Sequence, residues 1–356
     1  MAPTALAAPA PAKTAEERRR GSDFAPLLAD LKTAGLLDRR PLRYALSIGT
    51  GIALLVGTFA GVVLLGDTWW QLALAVPAAL FGVRAMFVGH DAGHRQIGRS
   101  HRTDRAMALL HGNLLMGMSS GWWIAKHNRH HANPNHLDKD PDVRAGVLVW
   151  DAGQAASRRG FAGWLTRHQA RLFLPLLLLE GLNLKIGSIV DLRNRSRAER
   201  RVEGALITAN VGLYFGVLFS AMSPGKAIAF FLLQHALMGV HLGLVFAPNH
   251  KGMPMPGPGE KWDHLRRQVL TSRNVRGGRV TDWLMGGLNY QIEHHLVPNM
   301  PRFSLRRAQP IVRAHCARLG VPYLETGAVE SYRQALSHMH GVGAGLRTSH
   351  GARLSI

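Results

Sequence analysis

The sequence predicts an all-α integral membrane protein, with four transmembrane helices in two hairpins and a cytoplasmic helical cap that holds a histidine-rich dimetal site. Three observations carry this reading. Four charge-free apolar stretches occur as two close pairs, the basic residues collect between and after those pairs, and seven of the 19 histidines fall in three short clusters. With 356 residues, 47% hydrophobic and 18% charged, a disordered or fibrous chain is excluded. The single cysteine, Cys316, excludes a disulfide framework, a Cys-ligated iron–sulfur cluster and a Cys-bearing zinc finger.

Tyr44 to Leu65 and Thr68 to Val83 run without charge, and roughly 20 apolar residues let a helix cross the hydrocarbon core. Spans are therefore expected at about 44–65 and 68–88. Only Gly66 and Asp67 separate them, so they form a tight hairpin whose tip, free of basic residues, lies outside the cytoplasm. The second pair is expected at 205–222 and 227–247, reversed by Ser223-Pro224-Gly225-Lys226. The net charge of +21 would suggest nucleic acid in a soluble protein. Here Arg95 to Arg105, Arg193 to Arg201 and Lys261 to Arg279 flank the spans, so positive-inside bias explains the charge, with no nucleic acid partner. Both termini and the histidine site then face the cytoplasm.

Residues 1–40 are expected as a disordered, cytoplasmic N-terminal segment. Its Ala/Pro-rich start lacks the large apolar groups that offset ordering, and Arg18 to Arg20 follow the apolar stretch rather than precede it, unlike a signal peptide. Residues 41–335 form the membrane domain, and 336–356 a flexible tail with exposed His338, His340 and His350. Leu172 to Leu179, broken by Pro175 and bounded by Arg171 and Glu180, is too short for a span and reads as an interfacial or re-entrant helix.

The clusters are His90 and His94 in HDAGH, His127, His130 and His131 in HNRHH, and His294 and His295 in QIEHH. Imidazoles at i, i+3 and i+4 leave one face of a helix, so each cluster offers two or three nitrogens to one point. All three follow spans on one side of the membrane, where they can converge. Imidazole suits iron, zinc, copper or nickel, so ligand type alone does not select the metal. Seven nitrogens exceed one coordination shell, which favours a dinuclear site with open positions over a closed zinc site. The carboxylate-bridged alternative needs Glu-x-x-His motifs, which the sequence lacks.

HDAGH, HNRHH and QIEHH, in that order around four spans, resemble the three histidine boxes of the membrane fatty acid desaturases. The likeness runs from about Tyr44 to Arg306 and includes KHNRHHANPN, DKDPD and DWLMGGLNYQIEHHLVPNMPR. Gln291 at the head of the third box is similar to the acyl-lipid and front-end branch, including what is often named a linoleoyl-CoA or Δ6-type desaturase. The box continues LVP where the family usually has LFP, a mild packing change.

The resemblance implies a non-haem di-iron site of two Fe, with O₂ as co-substrate, that removes two hydrogens from adjacent methylenes of a CoA- or lipid-linked acyl chain. It implies His90, His94, His127, His130, His131, His294 and His295 as iron ligands, with His250 of APNHKGM as a further ligand outside the boxes. Gln291 would be a ligand or a partner of one. No residue beyond the metal site is expected to be catalytic.

Asp91, Asp138, Asp140, Asp142 and Glu293 are candidates to orient imidazoles by accepting N–H protons, against plain solvation or helix capping. Asn135 and Asn289 are candidates for a water or a ligand histidine, against turn formation. Trp122 and Trp123 read as part of the interfacial aromatic belt rather than an acyl tunnel. The haem-binding HPGG string is missing, so electrons are expected from another protein, an acidic ferredoxin with its reductase steered by the basic face.

Hydroxylases and ketolases of the same superfamily use similar boxes and stay the near alternative. A metal transporter would need carboxylates or histidines near mid-span, and the four spans contain no Asp or Glu. Gly117 to Gly121 matches G-x-S-x-G at Ser119, but without the strand that motif requires.

Overall fold

The computed structural model describes residues 22–351, with side chains as far as Arg347. Among these residues every regular element is helical apart from one two-stranded parallel ladder. A short α1 (Phe24–Thr33) precedes α2 (Pro41–Leu64), where Pro41 opens the first turn because no intrahelical bond is lost there. Gly66, at φ 66°, reverses the chain into a 3₁₀ turn (Trp69–Leu74) that runs on as α3 (Ala75–Gly93). Then follow α4 (His101–Ala108), a π-helical turn (Leu109–Leu115) and α5 (Ser120–Ala132).

A small α6 (Ala152–Ala156) leads into α7 (Gly160–Asp191), and α8 (Arg197–Ala221) and α9 (Pro224–His250) make the second hairpin. The remainder is α10 (His264–Leu270), β1 (Asn274–Arg276), α11 (Arg279–Leu284), α12 (Gln291–Leu296), α13 (Arg302–Arg318), β2 (Glu325–Gly327), α14 (Ala328–Val342) and α15 (Ala344–Gly351). β1 and β2 pair in register Val275 to Thr326.

Five helices among the described residues are long and apolar enough to cross a membrane, with mean hydropathy from 1.5 to 2.0. Four are the expected pairs. The fifth, Gly160–Asn194, corrects the reading of Leu172 to Leu179 as a short segment. Arg171, Pro175 and Glu180 do not end this helix, because its backbone is stabilised by packing on α9 along its whole middle. Residues 22–40 also differ from a disordered segment: Leu27 and Leu31 of α1 are fully buried against Ile292, Leu296 and Val312. Residues 1–21 lie outside the described residues. The expected tail is likewise folded to residue 351, with Met339 buried, and His338 bonded to the Trp150 carbonyl at 2.9 Å rather than exposed. His340 is exposed, and the His350 side chain lies outside the described set.

The hairpins are tied at their tips. Buried Gln71 donates to the Val62 and Ala221 carbonyls at 2.6 and 3.1 Å, and Asp67 accepts from Ser223 N at 2.8 Å and pairs with Lys226. In the middle, α7 and α9 approach closely because glycines face each other. A Cβ at Gly239 would lie 2.7 Å from the Gly181 nitrogen, nearer than any side chain tolerates. Gly212 on α8 has nothing around it. Gly239→Ala is therefore expected to destabilise the protein by about 1–3 kcal/mol relative to Gly212→Ala, read as a lower melting temperature in detergent. Equal melting temperatures would refute the close packing.

Candidate metal centre

Each histidine cluster sits at a helix end. His90 lies in the last turn of α3 and His94 caps it, after which Arg95 turns the chain at φ 58°. His127, His130 and His131 occupy the end of α5, and Asn135 follows at φ 56°, a conformation asparagine tolerates. His250 ends α9, and His294 and His295 belong to α12. The serine at the head of α5, Ser119, is a helix cap: it accepts from Trp122 N and donates to buried Glu203 at 2.5 Å.

These ends bring all eight histidines together, each of them buried. His90, His94, His127, His131 and His294 each place a ring nitrogen within 4.8 Å of the others, and His130, His250 and His295 form a second group of the same kind. The stacked rings of His131 and His295, 4.1 Å apart, join the two. Gln291 meets the second group, its Nε2 2.9 Å from His250 Nε2.

The rings are aimed from behind. Asp91 lies 3.2 Å from His90 Nδ1, Asp140 2.8 Å from His130 Nδ1, Gln268 Oε1 3.1 Å from His295 Nδ1, and the Thr271 carbonyl 3.0 Å from His250 Nδ1. An acceptor at Nδ1 holds the proton there and leaves Nε2 as the lone pair that faces inward. Burial first, and neighbouring imidazoles second, hold His94, His127, His131, His294 and His295 well below the usual histidine range. They are neutral, as metal ligands must be.

The other expected site residues divide. Asp91 also binds Tyr44 OH and Arg302 Nε, both at 3.1 Å, and fully buried Asp140 also accepts from Asn135 N at 2.7 Å. Asp142 lies 3.5 Å from His130 Nδ1 and pairs with Lys126. Asn135 donates to the His250 carbonyl at 2.9 Å, tying two clusters together. Three expectations are corrected. Glu293 holds Asn274 and Tyr323 at 2.7 Å each, with its carboxyl pushed up to about 7 by burial, and it reaches no imidazole. Asn289 binds Asp282 at 2.9 Å in its own loop, and Asp138 is exposed. Sequence reasoning missed Gln268, Arg302 and Tyr44, for which no motif or spacing gives a signal.

An apolar cavity of about 280 Å³ shares a wall with the cluster: His90, His127, His130, His250 and Gln291 face it beside Phe87, Leu242 and Phe246. Trp123 lies in this wall, stacked on His127 at 4.3 Å, so it belongs to the cavity and not to an interfacial belt. Lys126, Asp142, Glu180 and Lys251 line the same cavity, and Lys251 sits over the Trp150 ring at 3.8 Å.

The family model described as fatty acid desaturase matches residues 67–327. A Delta(8)-fatty-acid desaturase of Helianthus annuus is 26% identical over 318 residues, spanning 85% of this chain and 69% of its own. Delta(5) fatty acid desaturase fat-4 of Caenorhabditis elegans is 28% identical, with 85% and 69% covered. An acyl-lipid (9-3)-desaturase of Physcomitrium patens is 27% identical, with 85% of this chain and 59% of its own covered. The match covers every long apolar helix after Pro41–Leu64, the cavity and every histidine of the cluster, and the chain belongs to the fatty acid desaturase family of membrane oxidoreductases.

Proposed function

We propose that this chain holds two iron ions and desaturates a CoA- or lipid-linked acyl chain at the cytoplasmic membrane face, with O₂ as oxidant. The observation that carries it is the shared wall between an apolar cavity and a double cluster of buried imidazoles. Nε2 of His90, His94, His294 and His295 and Nδ1 of His131 are buried with no partner among the described residues. Each such atom costs about 1–3 kcal/mol unless a ligand satisfies it. The donor set fits a pair of irons: His90, His94, His127, His131 and His294 would hold one, and His130, His250 and His295, with Gln291 beside them, the other.

Bound iron would supply the O₂-derived oxidant that an unactivated methylene needs. The protein supplies position and exclusion. Phe87, Trp123, Leu242 and Phe246 keep water from the acyl chain and hold it against the histidine wall. Asp91, Asp140, Gln268 and the Thr271 carbonyl fix ring orientation. Electrons would come from a ferredoxin with its reductase, an acidic donor being steered by the net charge of +21.

The proposed topology has four spans, with α7 inclined in the membrane and not crossing it. α3 and α9 both end at the cluster, so those ends share a face. α7 is tied at two points to segments outside the four paired helices: Gln169 bonds Val149 and the Met339 carbonyl, and Ser188 Oγ accepts from Ser119 N at 3.1 Å. The positive-inside bias of the basic loops favours a cytoplasmic position for this face and both termini.

In cells expressing the chain with a ferredoxin and reductase, gas chromatography–mass spectrometry should show a new unsaturated fatty acid that vanishes in His294→Ala. A hydroxy acid instead would move the protein to the hydroxylase branch, and a product made by His294→Ala would refute the ligand assignment. Asp140→Ala should weaken iron binding by about 10- to 100-fold in chelator competition, with Asp138→Ala unchanged. Equal affinities would refute the orienting role of Asp140.

A further inference from the structure

A second cleft, of about 490 Å³, opens at the start of α7 and shares no wall residue with the acyl cavity. Arg158, Arg159 and Arg167 line it, and no Asp or Glu does. Arg158 donates to the Gly146 carbonyl at 2.6 Å, and Arg159 to the Ala156 and Arg158 carbonyls at 2.6 and 2.9 Å. Such bonds leave the charge in place, and none of the three arginines forms an ion pair among the described residues. The N-terminus of a 32-residue helix, capped by Arg159, adds its own partial positive charge. The cleft thus calls for an anion.

The outer face of the same helix identifies which anion. Phe161, Trp164, Leu174, Leu178, Ile186 and Ile189 recur at helical spacing and are 42–73% exposed, with Phe161 most so. The rings of Phe161 and Trp164 stack at 5.8 Å. Aromatic rings at the start of a helix and aliphatic side chains further along mark a surface that begins at headgroup level and continues into acyl chains. Arginines beside that start stand where lipid phosphates lie.

We propose that the Arg158/Arg159/Arg167 cleft binds the phosphate of an anionic phospholipid whose tails lie along the exposed face of α7. The assignment rests on charge and membrane placement and is independent of the metal centre. Native mass spectrometry of the full chain in neutral detergent, titrated with phosphatidylglycerol, tests it. A saturable single-lipid adduct is expected, with phosphatidylcholine bound far more weakly. Each Arg→Gln change should weaken it about fivefold and the triple change about a hundredfold, while the triple Arg→Lys variant retains most binding. Arg306→Gln with Arg307→Gln should leave it unchanged, and lipid-free melting temperatures check that every variant is folded. Undiminished phosphatidylglycerol binding in the folded triple Gln variant would overturn the proposal. So would displacement of the lipid by equimolar inorganic phosphate or free CoA, which would assign the cleft to a soluble phosphate.

Discussion

Eight imidazoles are buried side by side with ring nitrogens turned toward common points, and the structure around them is organised by that constraint. Ring centroids within a group lie 4.5–6.3 Å apart, so one protonated ring would face several neighbours in a medium that screens poorly. Burial and neighbouring imidazoles hold His94, His127, His131, His294 and His295 well below the usual histidine range, and acceptors behind His90, His130, His250 and His295 decide which of their nitrogens turns inward. Asp91 and Asp140 are themselves buried, and their other bonds, to Arg302, Tyr44 and Asn135, hold these carboxylates in place.

The rest of the fold serves to bring the ends of α3, α5, α9 and α12 to one point. Two hairpins locked at their tips by Gln71 and Asp67 fix the ends of α3 and α9. Glu203 of α8 holds the head of α5 through Ser119 and Asn113. Fully buried Arg273 donates to the Pro248 and Lys251 carbonyls and so closes the end of α9 next to His250. α1 packs under α12 through Leu27 and Leu31, so a segment far from the boxes in sequence supports the third of them.

The spans and boxes were legible because they rest on local rules: apolar length, charge placement, and the i, i+3, i+4 geometry that puts His127, His130 and His131 on one face. His250 came from resemblance, since a lone histidine at a helix end carries no spacing signal. Gln268 and Arg302 were not legible, because their roles depend on which loop faces which ring. Glu293 was misjudged for the same reason. Its place beside His294 in sequence turns it away from the cluster, toward Asn274 and Tyr323. The length of α7 was hidden because a helix packed on α9 tolerates Arg171, Pro175 and Glu180 within it.

The central claim, that the two histidine groups are two halves of one iron centre, is tested most directly by metal stoichiometry with Mössbauer spectroscopy on the purified, iron-reconstituted protein. The account predicts two irons per chain, magnetically coupled, and loss of coupling in His250→Ala. A single uncoupled iron per chain, or a preference for one tightly held zinc, would contradict it.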